Sequence, residues 1–257
     1  MTSASSTFDS SAATFDRYRV LPTGVPEAIR TAVWKSVRNL GQARVLDLGA
    51  GTGRIGKAFV EANDAYAGVD ASLAMLREFR KYGPAAALIQ ADGACLPFKS
   101  HIFDLVMLMQ VLSGAQDWQG LLSEVRRVLQ PAGTVVIGHT TNPPDGVDAQ
   151  LKRQLRTILE GMDIAWHEPN RARKQSLAWL ESSATRRAQT TAATWRAERT
   201  PREFLIRHRT GARFIALPLA VQEQALQRLS TWAENTFGSL DARHTEEFSF
   251  ELDIFDF

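Results

Sequence analysis

VLDLGAGTGRIG, from Val45 to Gly56, is an apolar run that stops in four glycines spread over eight residues, with one acid, Asp47, set inside it. The part before Gly49 reads as a buried parallel strand, and the residues after it return to helical spacing. A strand that turns into a helix through bare backbone lets N–H groups approach a ligand closely. Three ligand classes use such a turn, and spacing separates them. A Walker loop needs Gly-Lys followed by Ser or Thr, but Gly56-Lys57 is followed by Ala58. The glycines Gly51, Gly53 and Gly56 do fit the G-x-G-x-x-G of dinucleotide binders. Their register is wrong, because Gly49 already follows the strand directly, and counting from Gly49 puts Arg54 where the third glycine belongs. A pyrophosphate would also bring negative charge to Asp47, whereas a ligand carrying cations would not.

Outward from the loop, short apolar runs alternate with helical patterns. Val25, Ile29, Val33, Val37 and Leu40 share one helical face, with Pro26 in the first turn and Gly41 where a helix stops. After the loop come a helix from Gly53, a strand over 66–70, a helix from Ser72 and strands over 86–91 and 104–110. A helix over 118–130, with Leu121, Leu122, Val125, Val128 and Leu129 on one face, precedes a strand over 134–140. This alternation implies a parallel sheet with helices on both faces. Beyond Asp145 the chain turns to Arg-rich helices near 151–159 and 171–183, a Thr-rich strand over 188–195, and helices over 201–208 and 219–237. It ends in a half-buried strand, where Phe248, Phe250, Leu252 and Ile254 alternate with Ser249, Glu251 and Asp253.

The order of these pieces resembles the class I S-adenosylmethionine-dependent methyltransferases, in particular their small-molecule type 11 branch, which includes the ubiquinone and menaquinone methyltransferases. Asp47 to Gly53 is similar to that family's D/E-x-G-x-G-x-G loop. "AGVDAS" places Asp70 at the end of the second strand, where the family holds the ribose hydroxyls; "QADGACLPF" resembles the segment whose Asp92 and following backbone read the adenine edge. "FDLVMLMQVL" and "LLSEVRRVLQPAGTVVIG" resemble the fourth strand, its helix and the fifth strand. The likeness runs from Tyr18 to about Thr140, roughly half the chain. It implies S-adenosyl-L-methionine as cofactor, held by Asp47, Gly49, Ala50, Gly51, Gly53, Asp70, Ala71, Asp92, Gly93, Met109 and Gln110. Tyr18 and Arg19 would close over it.

The expected fold is α/β: a Rossmann-like, doubly wound, seven-stranded and mostly parallel sheet with an antiparallel last strand and helical cap insertions. The expected division is a flexible tail at 1–14, a cofactor-binding core over 15–144, a helical cap over 145–240 with one core strand near 188–195, and a final core strand over 244–257.

Composition narrows the partners. With 257 residues, 44% of them hydrophobic, the chain buries a full core, and its formal charge of +2 gives no general attraction to nucleic acid. Cys95, alone, excludes a disulfide framework, fits a reducing compartment and reads as a buried, inert thiol. No apolar run reaches the ~18 residues of a membrane span, the N-terminus lacks the order of a signal peptide, and no histidines show metal spacing. The expectation is a cytoplasmic protein with no metal, no membrane and no nucleic acid. The stretch 151–213 holds fourteen Lys and Arg against six Asp and Glu. It reads first as solvated helix faces and second as a site for an anionic acceptor. "NPPD" at 142–145 follows the fifth strand instead of the fourth and reads as a loop.

Methyl transfer is an in-line displacement, so positioning and exclusion of water dominate, and a base is needed only for some acceptors. The family often carries His after the fourth strand; here "QVLSGAQDW" offers Ser113 and Gly114. His139, at the end of the fifth strand, is the remaining candidate base, against a structural role. The expected acceptor is a small molecule. The same cofactor serving non-methylating chemistry and a non-catalytic binding module are the alternatives.

Overall fold

The computed structural model describes residues 19–37, 43–113, 115, 117–164, 171–209 and 212–257. Tyr18, the tail at 1–14, the Leu40–Gly41 helix stop, Gly114 and His167 lie outside the described residues.

Seven strands form one sheet: β1 (Arg44–Leu48), β2 (Ala65–Asp70), β3 (Ala87–Gln90), β4 (Phe103–Met109), β5 (Leu129–Thr141), β6 (Arg186–Arg199) and β7 (His244–Asp256). Their order is β3-β2-β1-β4-β5-β7-β6. The strands from β3 to β5 are parallel, with Asp47 opposite Gly68 on one side and Met107 on the other. The last strand inserts between β5 and β6 and runs antiparallel: Thr134 near the start of β5 bonds Asp256 at the end of β7. Further along β5, Gly138 lies under the ring of Phe250. The direction of winding reverses between β1 and β4, and the C-terminal ends of strands at such a switch point form a ligand crevice.

Contacts divide the chain into two units. One comprises the described residues of Met1–Thr140, Pro169–Ala193 and Phe250–Phe257. Its helices are α1 (Val25–Ser36), α2 (Gly56–Glu61), α3 (Leu73–Arg80), α4 (Trp118–Val128) and α6 (Arg171–Ser183). α1 buries Val25, Ile29 and Val33 and stops at Val37, which turns extended. Asp64 then receives both Arg30, at 2.6 and 2.7 Å, and the indole N–H of Trp34. α4 ends two residues short of the expected Gln130, because Leu129 already has strand geometry. Leu121, Leu122, Val125 and Val128 of α4 pack on Val106, Leu108, Val135 and Ile137 of the sheet, and Leu180 of α6 joins the same cluster. Cys95 is exposed, against expectation: its N–H closes a tight turn onto the carbonyl of Asp92, which aims the side chain outward.

The other unit comprises the described residues of Thr141–Glu168 and Thr194–Ser249. α5 (Val147–Glu160), α7 (Pro201–Arg209), α8 (Ala212–Ile215) and α9 (Leu219–Phe237) enclose a core of Leu151, Leu155, Phe204, Phe214, Leu226 and Leu229. Gly146 offers α5 no capping side chain, and Glu246 accepts the N–H of Val147 at 2.6 Å in its place. Buried Asp148 pairs with Arg207 at 2.6 Å. No described helix is long and apolar enough to cross a membrane.

The antiparallel insertion of β7 depends on a polar contact at its end. Buried Asp256 accepts from Thr134 at 2.9 Å and pairs with Arg186 at 3.1 Å, joining β5, β7 and β6. Asp256→Ala strands the Thr134 hydroxyl in the core and is expected to cost about 2 kcal/mol, read as a lower urea midpoint. Thr134→Val, which removes one donor and leaves Arg186 in place, is expected to cost less.

Candidate functional site

The glycine loop is set by what lies beneath it. The N–H groups of Gly49 and Ala50 both bond the carbonyl of Val69, at 2.8 and 2.9 Å, so the chain leaves β1 bound to the end of β2. Gly49, Gly51 and Gly53 all have left-handed backbone, with φ of 83, 56 and 80°. That geometry carries the chain upward before it coils, and α2 starts at Gly56, three residues later than the spacing predicts. The glycines have different surroundings. A Cβ on Gly49 would strike the side chain of Val111, and one on Gly53 would strike the ring of Phe79. Gly51 alone of the three has room, its nearest neighbour being the carbonyl oxygen of Gly49 at 3.9 Å. Two glycines thus accommodate the core, and Gly51 presents bare backbone to open space.

Asp70 fixes that presentation. One carboxylate oxygen accepts the N–H of Gly51 at 2.9 Å and the other the N–H of Ser72 at 2.8 Å, while the Ser72 hydroxyl caps α3 through Met75. The neighbouring carbonyl of Ala71 accepts from Gln90, and Ala91 donates to the carbonyl of Asp70, so the segment after β3 is drawn alongside. There Asp92 is exposed and turns the chain by accepting from Ala94 at 2.9 Å, with Gly93 between them. Glu124 and Arg127 of α4 hold the following residues: Glu124 accepts from Leu96, and Arg127 donates to the carbonyls of Leu96 and Phe98.

Asp47 is buried under the loop, only 2% exposed. Tyr66 donates to its Oδ2 at 2.6 Å, and its Oδ1 is buried without a partner among the described residues. The contact needs two further glycines. Gly68 stands opposite Asp47, and a Cβ on it would come within 3.1 Å of the Tyr66 hydroxyl, while one on Gly56 would lie 2.9 Å from Oδ2. Burial pushes the Asp47 carboxyl up to about 7; the Tyr66 hydrogen bond pulls it down, and the negative charge of Asp70 adds to the rise. Burial and Asp47 together raise the Tyr66 phenol, which keeps it a donor.

On the β4 side, Met109 is buried and Gln110 adopts φ 63°, a left-handed geometry that costs a side-chain-bearing residue about 1 to 2 kcal/mol. Three bonds hold it there: its N–H donates to Gly138, its amide N–H to the Thr140 hydroxyl at 2.7 Å, and its amide oxygen accepts from Arg54 at 2.7 Å. Arg54 also donates to the carbonyl of Arg19 at 2.5 Å. Arg54 therefore connects the glycine loop, the end of β4 and the segment before α1. His139 belongs to a separate cluster at the end of β5, where Arg173 donates to its Nδ1 at 3.0 Å. No group of metal-ligating side chains occurs among the described residues.

A family model described as a methyltransferase domain matches residues 46–137, from within β1 to within β5. In this segment the chain is similar to a methyltransferase domain. Demethylmenaquinone methyltransferases of Streptomyces griseus and Streptomyces avermitilis are 35% and 36% identical to the chain over 139 residues, 54% of this chain and 60% of theirs. The chain thus spans about 60% of the length of these curated relatives. Among solved structures, a candidate type II methyltransferase of Anaeromyxobacter dehalogenans is similar over 90% of this chain and 96% of its own, with a TM-score of 0.59 at 16% identity. The YcgJ protein of Bacillus subtilis is similar over 88% and 97%, with a TM-score of 0.54 at 19% identity. At such identities the structures establish the Rossmann-like methyltransferase fold.

Around the glycine loop the structure brings together Asp47, Gly49, Ala50, Gly51, Gly53, Asp70 and Ala71, with Gln110 and Arg19 joined through Arg54. Sequence reasoning did not single out Tyr66, Arg54 as a bridge, or Thr140. Tyr66 had one legible signal: it shares a strand face with Gly68 and Asp70, and a phenol on that face of β2 points along the row that ends at the loop.

The buried carboxyl gives a signed pH dependence. Unfolded, Asp47 ionises near pH 4; folded, near 7. Between those values the unfolded chain has lost the proton and the folded one keeps it, so this group's contribution to stability falls as pH rises, by about 1.4 kcal/mol per unit. Urea unfolding of the ligand-free protein at pH 5 and pH 8 should show the wild type losing about 2 to 3 kcal/mol more than Asp47→Asn. Equal losses would refute the assignment. The glycines are separable by the same method: Gly51→Ala should fold at a cost of about 1 kcal/mol, while Gly53→Ala displaces Phe79 and costs more.

Proposed function

We propose that the chain is a methyltransferase that uses S-adenosyl-L-methionine to methylate a small-molecule acceptor. The observation that carries this reading is the construction of the loop: Gly51 faces open space with its N–H held by Asp70, above a buried carboxyl whose Oδ1 has no partner among the described residues. A ligand that is cationic near Asp47 and carries hydroxyls toward Asp70 suits those residues, and S-adenosyl-L-methionine is such a ligand. When bound, it supplies a methyl group already activated by its sulfonium.

The chain's own part is positioning. Asp70 would take the ribose hydroxyls, the backbone of Gly49 to Gly53 would hold the methionine and ribose portions, Asp47 would favour the ammonium end, and Asp92 with Gly93 would meet the adenine edge. Met109 and Gln110 would border the cofactor at the end of β4, with Arg19 nearby through Arg54. The intact loop speaks against a binding module with a lost cofactor site. The names of the curated relatives favour methylation over cyclisation or elimination and make a reduced quinone the first acceptor to test. The Arg-rich stretch over 151–213 leaves an anionic acceptor as a second choice. We place the enzyme in the cytoplasm, acting without metal, membrane or nucleic acid.

Calorimetry with S-adenosylmethionine and S-adenosylhomocysteine tests the reading. Binding in the micromolar range is expected for the wild type, and its absence on folded protein would overturn the proposal. Asp70→Ala should weaken binding by about 1.5 to 3 kcal/mol, since it loses the ribose hydrogen bonds and releases the Gly51 N–H as well. Gly51→Val should fold and fail to bind, because its side chain occupies the space the ligand needs.

A further inference from the structure

His139 stands at the C-terminal end of β5, one residue before the Thr140 that holds Gln110, and it is half-buried. Its surroundings are more constrained than those of an ordinary surface histidine. From α6, Arg173 sends Nη2 to the imidazole Nδ1 at 3.0 Å and to Oδ2 of Asp253 on β7 at 2.6 Å. Asp253 is 1% exposed, its Oδ1 accepts the Gln189 amide, and Arg187 stands 3.9 Å away. The guanidinium is therefore anchored from below, and the imidazole rests on it.

This arrangement decides the tautomer. Arg has donors only, so Nδ1 must accept, and the proton of the neutral ring lies on Nε2. Nε2 bonds no protein group among the described residues, and the side chain is half-buried. Half-burial and the Arg173 charge both lower the imidazole's basicity, against smaller opposing effects from Asp253 and Glu251, so the ring is neutral at pH 7. To serve as a base at Nε2, the ring would have to move its proton to Nδ1, directly against the N–H of Arg173. The general-base role expected from sequence is closed by that contact.

Resting on the methyltransferase reading, we propose that His139 instead presents its Nε2–H as a fixed hydrogen-bond donor to an electron-rich oxygen of the acceptor, a phenolate, enolate or carbonyl. Arg173 is a positioning residue that holds the tautomer. Such a donor stabilises negative charge on an oxygen conjugated with the methylated atom, and it takes up no proton in the reaction. The location suits this role, since β5 adjoins the end of β4 and open α/β sheets bind ligands along this edge.

The test is nitrogen-15 NMR of the full chain labelled at histidine, with the His139 signals identified by their loss in His139→Gln. The wild type is expected to show the Nε2–H tautomer, neutral at pH 7; an Nδ1–H tautomer or a protonated ring overturns the proposal. Arg173→Met should raise the imidazole's basicity and mix the tautomers, a change that a merely structural arginine would not produce. With S-adenosylhomocysteine bound, 1,4-dihydroxynaphthalene serves as the acceptor probe. The Hε2 resonance should move downfield on its addition, and His139→Phe should weaken the probe about tenfold, with His139→Gln recovering most of the loss because it retains an N–H. An unmoved resonance, or equal losses in the two variants, overturns it. Cofactor binding by the same samples separates the two readings: a wild type that does not bind S-adenosylhomocysteine overturns the methyltransferase assignment, whereas binding with an unmoved Hε2 overturns only the role of His139.

Discussion

The hydrogen bond from the Gly51 N–H to Asp70 is the constraint on which the candidate site depends. It joins the loop after β1 to the end of β2 and fixes where bare backbone is presented. Left-handed backbone at Gly49, Gly51 and Gly53 makes the bond reachable, and the packing of Val111 and Phe79 against the outer two prevents the loop from relaxing. Asp70 also bonds Ser72, so the same carboxylate sets the start of α3. A single side chain thus couples the loop, a strand end and a helix cap.

Beneath that bond lies an energetic opposition. Asp47 is buried with one oxygen unpartnered among the described residues, which costs stability. Tyr66 offsets part of the cost with its hydroxyl, and the glycines at 56 and 68 give the phenol room to reach. Structures commonly tolerate such local destabilisation where a ligand later compensates it. Gln110 follows the same logic at the neighbouring strand, its left-handed backbone held by Arg54, Thr140 and Gly138.

The sheet was legible because its central strands β1 and β4 are buried on both faces and its strands are punctuated by helices of regular apolar spacing. The helix register of α4, its Asp117 cap and the alternation in β7 all follow from local chemistry. Boundaries were less legible where tertiary contacts override spacing. α2 starts late because three left-handed glycines consume the turn, and β6 extends to Arg186–Arg199, beyond the Thr-rich centre visible in the sequence, as the neighbour of β7. Cys95 shows the same limit, since a one-bond turn at Asp92 decides its exposure and apolarity does not.

The sequence by itself determined the strand–loop–helix order, the acid beneath the glycines and the acid after the second strand, because these are written in residue type and spacing along contiguous stretches. It identified His139 as a titratable group at a strand end. Only the tertiary structure decided which of its nitrogens carries the proton, since Arg173 comes from a helix 34 residues away and Asp253 from a strand 80 residues beyond that arginine. Tyr66 with Asp47, and Arg54 with Gln110, were decided in the same way. Hydrogen-bond roles depend on the partner's direction as well as its identity, and direction is fixed only when separate segments pack.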